Sequence, residues 1–143
     1  MKIRDILQAK GSQVHSISPT ATLDQVVQAL VAHNCGSLMV MDGPKMCGII
    51  TERDILRTVA GETRELNAIQ VTSRMSQDLV TSAPEEELSD VMSKLTQNRV
   101  RHLPVVENGD LVGIISIGDV VKSQQKSLAT ENEFLRNYMN GTY

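Results

Sequence analysis

The sequence predicts an α+β protein made of two β-α-β-β-α repeats packed about a pseudo-twofold axis as one unit. Three observations carry that expectation. Residues 14–57 align without a gap on residues 79–122 at a constant offset of 65, so that Pro19/Pro84, Leu23/Leu88, Val26/Val91, Leu30/Leu95, Leu38/Leu103, Val40/Val105, Ile49/Ile114 and Ile50/Ile115 coincide. Each copy sets a stretch of helical apolar spacing before two short apolar runs parted by a turn signal. Each copy also closes on one signature, Gly48-Ile49-Ile50-Thr51-Glu52-Arg53-Asp54 and Gly113-Ile114-Ile115-Ser116-Ile117-Gly118-Asp119. The chain has 143 residues, whereas a lone repeat of roughly 60 would bury only a marginal share of its surface. The two copies are therefore expected to share a fold.

The elements follow in the same order in both copies. A short apolar turn opens each, with Ile3, Ile6 and Leu7 in the first and Val71 and Met75 in the second. Extended runs over Val14–Ile17 and Leu79–Ser82 stop at Pro19 and Pro84, because proline removes a ladder donor. Amphipathic helices come next. Leu23, Val26, Val27, Leu30 and Val31 lie on one face of the first, and Leu88, Val91, Met92 and Leu95 on one face of the second. Glu85, Glu86 and Glu87 fall in the expected first turn of the second helix, where the backbone dipole favours anions.

Strands over Ser37–Met41 and His102–Val106 then lead through turns at Asp42-Gly43-Pro44 and Glu107-Asn108-Gly109-Asp110. The returning strands, Met46–Thr51 and Leu111–Ser116, are nearly all apolar, as expected of strands covered on both faces. Each runs directly into a closing helix, giving a small mixed sheet with helices on one side. Repeat one carries three extra residues between its opening turn and first strand. The expected organisation is residues 1–60 as the first repeat, 61–70 as a polar connector, 71–125 as the second repeat and 126–143 as a C-terminal helical extension. That extension aligns Leu128, Phe134, Leu135, Tyr138 and Met139 on one face before Gly141. Such a stripe either folds back on its own chain or pairs with a second subunit.

Composition narrows the function. A net charge of -3 and a pI near 5.6 do not suit a nucleic-acid binder, which usually shows a basic stripe. Phe134, Tyr138 and Tyr143 are the only aromatic residues available for stacking bases. Cys35 and Cys47 form no metal-ligand spacing and read as semi-buried thiols of a reducing compartment. His15, His33 and His102 have no metal spacing with each other or with the cysteines, so no metal is expected. No GxSxG, HExxH or P-loop motif occurs. No run approaches the roughly 18 apolar residues of a membrane span, and the N-terminus lacks the apolar core of a signal peptide. A cytoplasmic protein is expected, with neither membrane nor nucleic acid as partner.

The repeated signature has two readings. A Ser or Thr at a strand end with an acid three residues later is a capping box, which stabilises a helix start by about 1 kcal/mol without any ligand. The same residues suit a ribose, whose vicinal hydroxyls an aspartate accepts in pairs while the neighbouring hydroxyl adds a third bond; each bond to a charged group contributes roughly 1.5–3 kcal/mol. Recurrence at both repeats, and Gly48 and Gly113 permitting a close approach, favour the second reading. A phosphate cannot sit beside Asp119 without repulsion and must turn toward cations. Arg101 and His102 lie at the start of the neighbouring strand, whereas repeat one has Gly36 and Ser37 there and only Arg53 as a substitute. The two sites are expected to be unequal.

The twin Gly-x-x-[Thr/Ser]-x-x-Asp signatures, the strand from Arg101 to Val106 and the turn from Thr51 to Asp54 together resemble a pair of cystathionine β-synthase (CBS) domains, a Bateman module. The resemblance covers nearly the whole chain and is greatest to stand-alone CBS-pair proteins of bacteria and organelles. It implies an adenosine ligand in the cleft between repeats, with AMP, ADP, ATP, NAD(H) or S-adenosylmethionine as candidates. It further implies that Asp54 and Asp119 hold ribose hydroxyls, that Thr51 and Ser116 support ribose or phosphate, and that Arg101 and His102 meet phosphate in the second site. Small CBS pairs resemble units that associate face to face, so a homodimer is expected.

The function expected is thus a non-catalytic regulatory module that binds an adenine nucleotide and signals to an unidentified regulated protein. The alternative is a ligand-independent interaction or scaffold protein whose signatures act only as helix caps. An enzyme is the third class. The family resemblance includes the regulatory insert of inosine monophosphate dehydrogenase, but this chain is too short for that enzyme's barrel of about 250 residues.

Overall fold

The computed structural model describes residues 1–140, the side chains of Ser127 and Tyr138 excepted. Gly141 and Tyr143, and the Tyr138 side chain in the expected apolar stripe, lie outside the described residues. The first half comprises helix α1 (Ile3–Lys10), strand β1 (Ser16–Ile17), helix α2 (Leu23–His33), strands β2 (Ser37–Asp42) and β3 (Lys45–Thr51), and helix α3 (Glu52–Gly61). Single 3₁₀ turns at Leu66–Ala68 and Val71–Ser73 precede helix α4 (Leu88–Asn98), strands β4 (His102–Glu107) and β5 (Asp110–Ser116), and helix α5 (Ile117–Met139).

The duplication is visible in the hairpins. β2 and β3 pair antiparallel with a register shift between Val40 and Met41, and β4 and β5 pair likewise with a shift between Val105 and Val106, the equivalent point. β1 joins β2 in parallel, which makes the first sheet mixed and three-stranded. The second sheet has two strands only.

The strand expected over Leu79–Ser82 is therefore absent; Ser82 makes an isolated parallel bridge to Val105. The cause is Pro104. In the first half the Met39 amide donates to the His15 carbonyl at 3.0 Å. Pro104 occupies the position equivalent to Met39 and has no N–H to give. Two ladder bonds remain, Ser82 N to Pro104 O at 2.9 Å and Val106 N to Ser82 O at 2.8 Å.

A second departure concerns the glutamates. α4 begins only at Leu88, and Glu87 stands at its N-cap without a side-chain cap bond, where Thr22 caps α2 by accepting from the Gln25 amide. Glu85, Glu86 and Glu87 lie ahead of the helix instead of in its first turn. They pair with cations: Glu85 with Lys2 and Arg4, Glu86 with Lys94 at 2.7 Å, and Glu87 with the α-amino group of Met1.

Those pairs belong to a wider exchange between the repeats. α1 buries Ile3 and Ile6 among Leu88, Val91, Leu95, Leu103, Val105, Ile115 and Val120 of the second half. Val71 and Met75 in turn pack with Leu23, Val26, Leu38, Val40 and Ile50 of the first. Burying one such side chain contributes roughly 1.5–3 kcal/mol, so each opening segment is anchored in the opposite core. Backbone bonds follow the same exchange, Leu88 N to Met1 O at 2.9 Å on one side and Val71 N to Ala21 O at 2.9 Å on the other. The opening turns that sequence assigns to their own repeats thus complete each other's cores.

α5 runs as one helix through Met139. From Gln124 onward every described side chain on it is exposed, Leu128, Phe134, Leu135 and Met139 included. No helix among the described residues is long and apolar enough to cross a membrane.

Candidate functional site: a cleft between the repeats

Both signatures sit where a strand hands over to a helix. β3 ends at Thr51 and α3 starts at Glu52; β5 ends at Ser116 and α5 starts at Ile117. In each, the hydroxyl and the acid close a capping box. The Asp54 amide donates to Thr51 Oγ1 at 3.4 Å, and Thr51 returns its own amide to Asp54 Oδ2 at 2.9 Å. The Asp119 amide donates to Ser116 Oγ at 3.1 Å, and the Ser116 amide to Asp119 Oδ2 at 2.8 Å. The cap geometry that the spacing allows is therefore present twice. It uses Oδ2 of Asp54; Oδ1 makes no hydrogen bond among the described residues.

A cleft lies against the first of these turns. Thr51, Arg53 and Asp54 form one side and Arg99, Val100, Arg101 and His102 from the α4–β4 connection the other, with Ile49, Leu79, Val80 and Pro104 as apolar lining. Arg57 adds a further cation, and Glu52 and Asp78 bring acids. Hydroxyl, carboxylate, apolar surface and several guanidinium groups thus converge from the two repeats. An apolar cleft with a few convergent polar groups is the usual form of a small-molecule site.

Arg101 and His102 line the cleft of the first signature together with Thr51 and Asp54. His102 also stands opposite Ser116 in the β4–β5 register and within electrostatic reach of Asp119. Gly36 explains how both can approach: it lines the same cleft, and its carbonyl accepts from the Glu52 amide at 3.0 Å just as Arg101 O accepts from the Ile117 amide at 2.8 Å. The starts of β2 and β4 therefore meet across the pseudo-twofold axis. Arg101 bonds through its carbonyl to its own signature and at the same time lines the cleft of the other.

Asp119 has a different neighbour. Lys10, at the end of α1, donates to its Oδ2 at 2.7 Å and to the Ile114 carbonyl at 2.9 Å. Burial raises the Asp119 carboxyl, but the bonds from Lys10 and from the Ser116 amide outweigh it and hold the group below its ordinary value. His102 is displaced downward, chiefly by burial, against the opposing pull of Asp119 and Glu52, while Lys10 and Arg101 lower it further.

Sequence reasoning missed Arg57, Arg99, Asp78 and Lys10. Arg57 lies one helical turn beyond Arg53, a spacing that could have found it. Arg99 and Asp78 reach the cleft only through the meeting of the two repeats. Gly48 and Gly113 do permit a close approach, but what approaches is the opposite opening segment. A Cβ on Gly48 would lie 2.6 Å from the Ser76 carbonyl oxygen. Among the described residues no group of three His, Cys, Asp or Glu side chains could hold a metal ion.

Two half-modules with exchanged opening segments, each turning from strand to helix at a Gly-x-x-[Thr/Ser]-x-x-Asp motif, define a tandem ligand-binding-type repeat. The chain belongs to the CBS domain family, whose model matches residues 3–61 and 68–126. It is 32% identical over 150 residues to the mitochondrial CBS domain-containing protein CBSX3 of Arabidopsis thaliana, covering 99% of this chain and 73% of that protein. To the CBS domain-containing protein YhcV of Bacillus subtilis it is 30% identical over 116 residues, covering 81% of this chain and 82% of the relative. Among solved structures, a CBS-domain containing protein of Agrobacterium tumefaciens superposes with a TM-score of 0.84 at 36% identity over 87% of this chain and 99% of its own. A CBS domain protein of Pyrobaculum aerophilum, complexed with AMP, superposes with a TM-score of 0.74 at 25% identity over 83% of this chain and 89% of its own.

Proposed function

We propose that this chain is a non-catalytic regulatory module that binds an adenosine-containing ligand, AMP, ADP, ATP, NAD(H) or S-adenosylmethionine, in the cleft at the first signature. The observation that carries this reading is the convergence of Thr51 and Asp54 from one repeat with Arg99, Arg101 and His102 from the other. Asp54 would accept the sugar's diol, Thr51 would support ribose or phosphate, and Arg53, Arg101 and His102 would meet the phosphate. Ser116 and Asp119 are the equivalent pair on the second repeat. The AMP complex of the P. aerophilum protein supports the ligand class. Because the ligand would touch both repeats, binding would favour one relative arrangement of them, which a regulated partner could read.

The free apolar face of α5 supports a homodimer in which that helix is covered by a second copy. The two unpaired thiols suit a reducing compartment such as the cytoplasm.

Calorimetric titration of the candidate ligands tests the reading. The Arg101 side chain takes no part in the caps, so Arg101→Ala, which keeps the carbonyl that accepts from the Ile117 amide, is expected to weaken AMP binding roughly tenfold or more while leaving apo melting unchanged, as loss of a charged hydrogen bond implies. No binding of any candidate at millimolar concentration would refute it.

One observation favours the second reading, a ligand-independent interaction protein: the acid and hydroxyl of both signatures are engaged in capping boxes. On that reading Asp54→Ala lowers apo stability by about 1 kcal/mol and no adenosine compound shifts the melting temperature.

A further inference from the structure

The two signatures are equivalent in sequence, and their surroundings differ at one position above all. Lys10 closes α1 with its ammonium on Asp119 Oδ2 at 2.7 Å and on the Ile114 carbonyl at 2.9 Å. The opening segments correspond at an offset of 68, since Leu7 faces Gly113 as Met75 faces Gly48. The counterpart of Lys10 is therefore Asp78, an acid that lines the first cleft and brings no positive charge to Asp54. At one signature the acid next to the diol position shares its cleft with another acid. At the other it is already bound by a cation of its own chain.

That cation is held in place. α1 is fixed in the second core through Ile3 and Ile6, both buried, and through Leu7 against Gly113. Lys10 therefore reaches Asp119 from an anchored helix end. The Lys10–Asp119 contact carries charge on both partners, whereas a sugar hydroxyl bonded to the same carboxylate carries it on the acceptor alone. The second signature also differs at the positions that carry basic residues around the first, although His102 lies within electrostatic reach of Asp119. Gly118, Asn34, Gly36 and Ser37 stand at the positions of Arg53, Arg99, Arg101 and His102.

We infer that Lys10 is an intramolecular occupant of the second signature, so that each chain takes a single adenosine-type ligand, at Thr51 and Asp54. Removing the lysine opens the second position to a nucleoside, because the acid is released while phosphate-binding cations remain few. This inference rests on the function proposed above.

The test is the stoichiometry of titration, with AMP and adenosine as probes. The natural chain is expected to bind one AMP per chain. Lys10→Ala is expected to keep that event and to gain a second site for adenosine, while Lys10→Arg, which preserves a cation, keeps a stoichiometry of one. Two AMP molecules per natural chain would overturn the inference with the function reading intact. So would a folded Lys10→Ala protein that binds AMP but gains no second adenosine. Failure of every variant and of the natural chain to bind AMP would overturn the function reading itself, and this inference with it.

Discussion

Gly113 and Leu7 meet across the two repeats so closely that a Cβ on the glycine would lie 2.7 Å from Leu7 Cδ2. Gly48 repeats the relationship on the other side, but there the nearest atom is the backbone carbonyl oxygen of Ser76, at 2.6 Å, with Met75 Sδ at 2.8 Å. The exchange of opening segments is thus sterically written into the strand of each signature.

The two contacts predict unequal costs for the same substitution. Leu7 is the flexible end of a side chain and can rotate away, so Gly113→Ala is expected to destabilise by about 1 kcal/mol, the low end of overpacking costs. The Ser76 backbone is tied to β3 by two bonds, Ile49 N to Ser76 O at 3.0 Å and Ser76 N to Ile49 O at 2.9 Å. Gly48→Ala should cost about 3 kcal/mol or more. Urea unfolding of both variants checks the order; equal midpoints would contradict it.

Arg99 caps α4 in the left-handed conformation at φ 53, where the equivalent residue of the first repeat is Asn34 at φ 50. Asparagine tolerates that region and arginine does so less readily. Arg99→Asn is therefore expected to leave the apo-protein as stable or up to about 1 kcal/mol more stable, while AMP affinity falls about tenfold, matching one lost charged contact. Thermal melting with and without AMP separates the two effects, and unchanged affinity would remove Arg99 from the binding set.

His102 binds its proton less tightly in the folded chain than in the unfolded one, because burial dominates over Asp119 and Glu52. The unfolded chain therefore takes up the proton first as pH falls below about 6.5. Stability is expected to decline from there down to the folded value and then to level off. Asp119, also displaced downward, adds its own loss only below the ordinary carboxylate range, near pH 4. Urea midpoints for the natural chain and His102→Gln between pH 7.5 and 5 check this, the variant losing less stability over that interval.

The apolar face of α5 leaves Phe134 64% and Met139 82% exposed, which is unfavourable unless covered. Phe134→Asp is expected to shift the chain from dimer to monomer in sedimentation velocity without lowering the melting temperature of the CBS pair. A natural chain that sediments as a monomer at micromolar concentration would refute the dimer.

The hairpins and the helices α2, α3, α4 and α5 could be read from spacing because each is a local pattern. The apolar period of three to four residues over Leu23–Leu30, and the uniformly apolar run from Gly48 to Ile50, bear directly on element type. The strand over Leu79–Ser82 failed for a reason visible only in its partner, since Pro104 withholds the donor that Met39 supplies. The glutamates lie ahead of the helix because α4 starts at Leu88, whose amide donates to the distant Met1 carbonyl at 2.9 Å, a partner that no local pattern names.

The residues of the candidate site were legible as types and not as a constellation. Thr51, Asp54, Ser116 and Asp119 stand out by repetition. Their surroundings depend on how two copies dock, which no period encodes.

From its residues alone, this chain is committed to a duplicated α+β unit with an acid and a hydroxyl at each strand-to-helix turn, because strand and helix patterns and capping chemistry operate within a few neighbours. Only packing across the pseudo-twofold axis decided that Arg99, Arg101 and His102 line one cleft with Thr51 and Asp54, and that Lys10 holds Asp119. Those contacts join segments dozens of residues apart, and burial of Ile3, Ile6 and Val71 in the opposite cores is the force that brings them together.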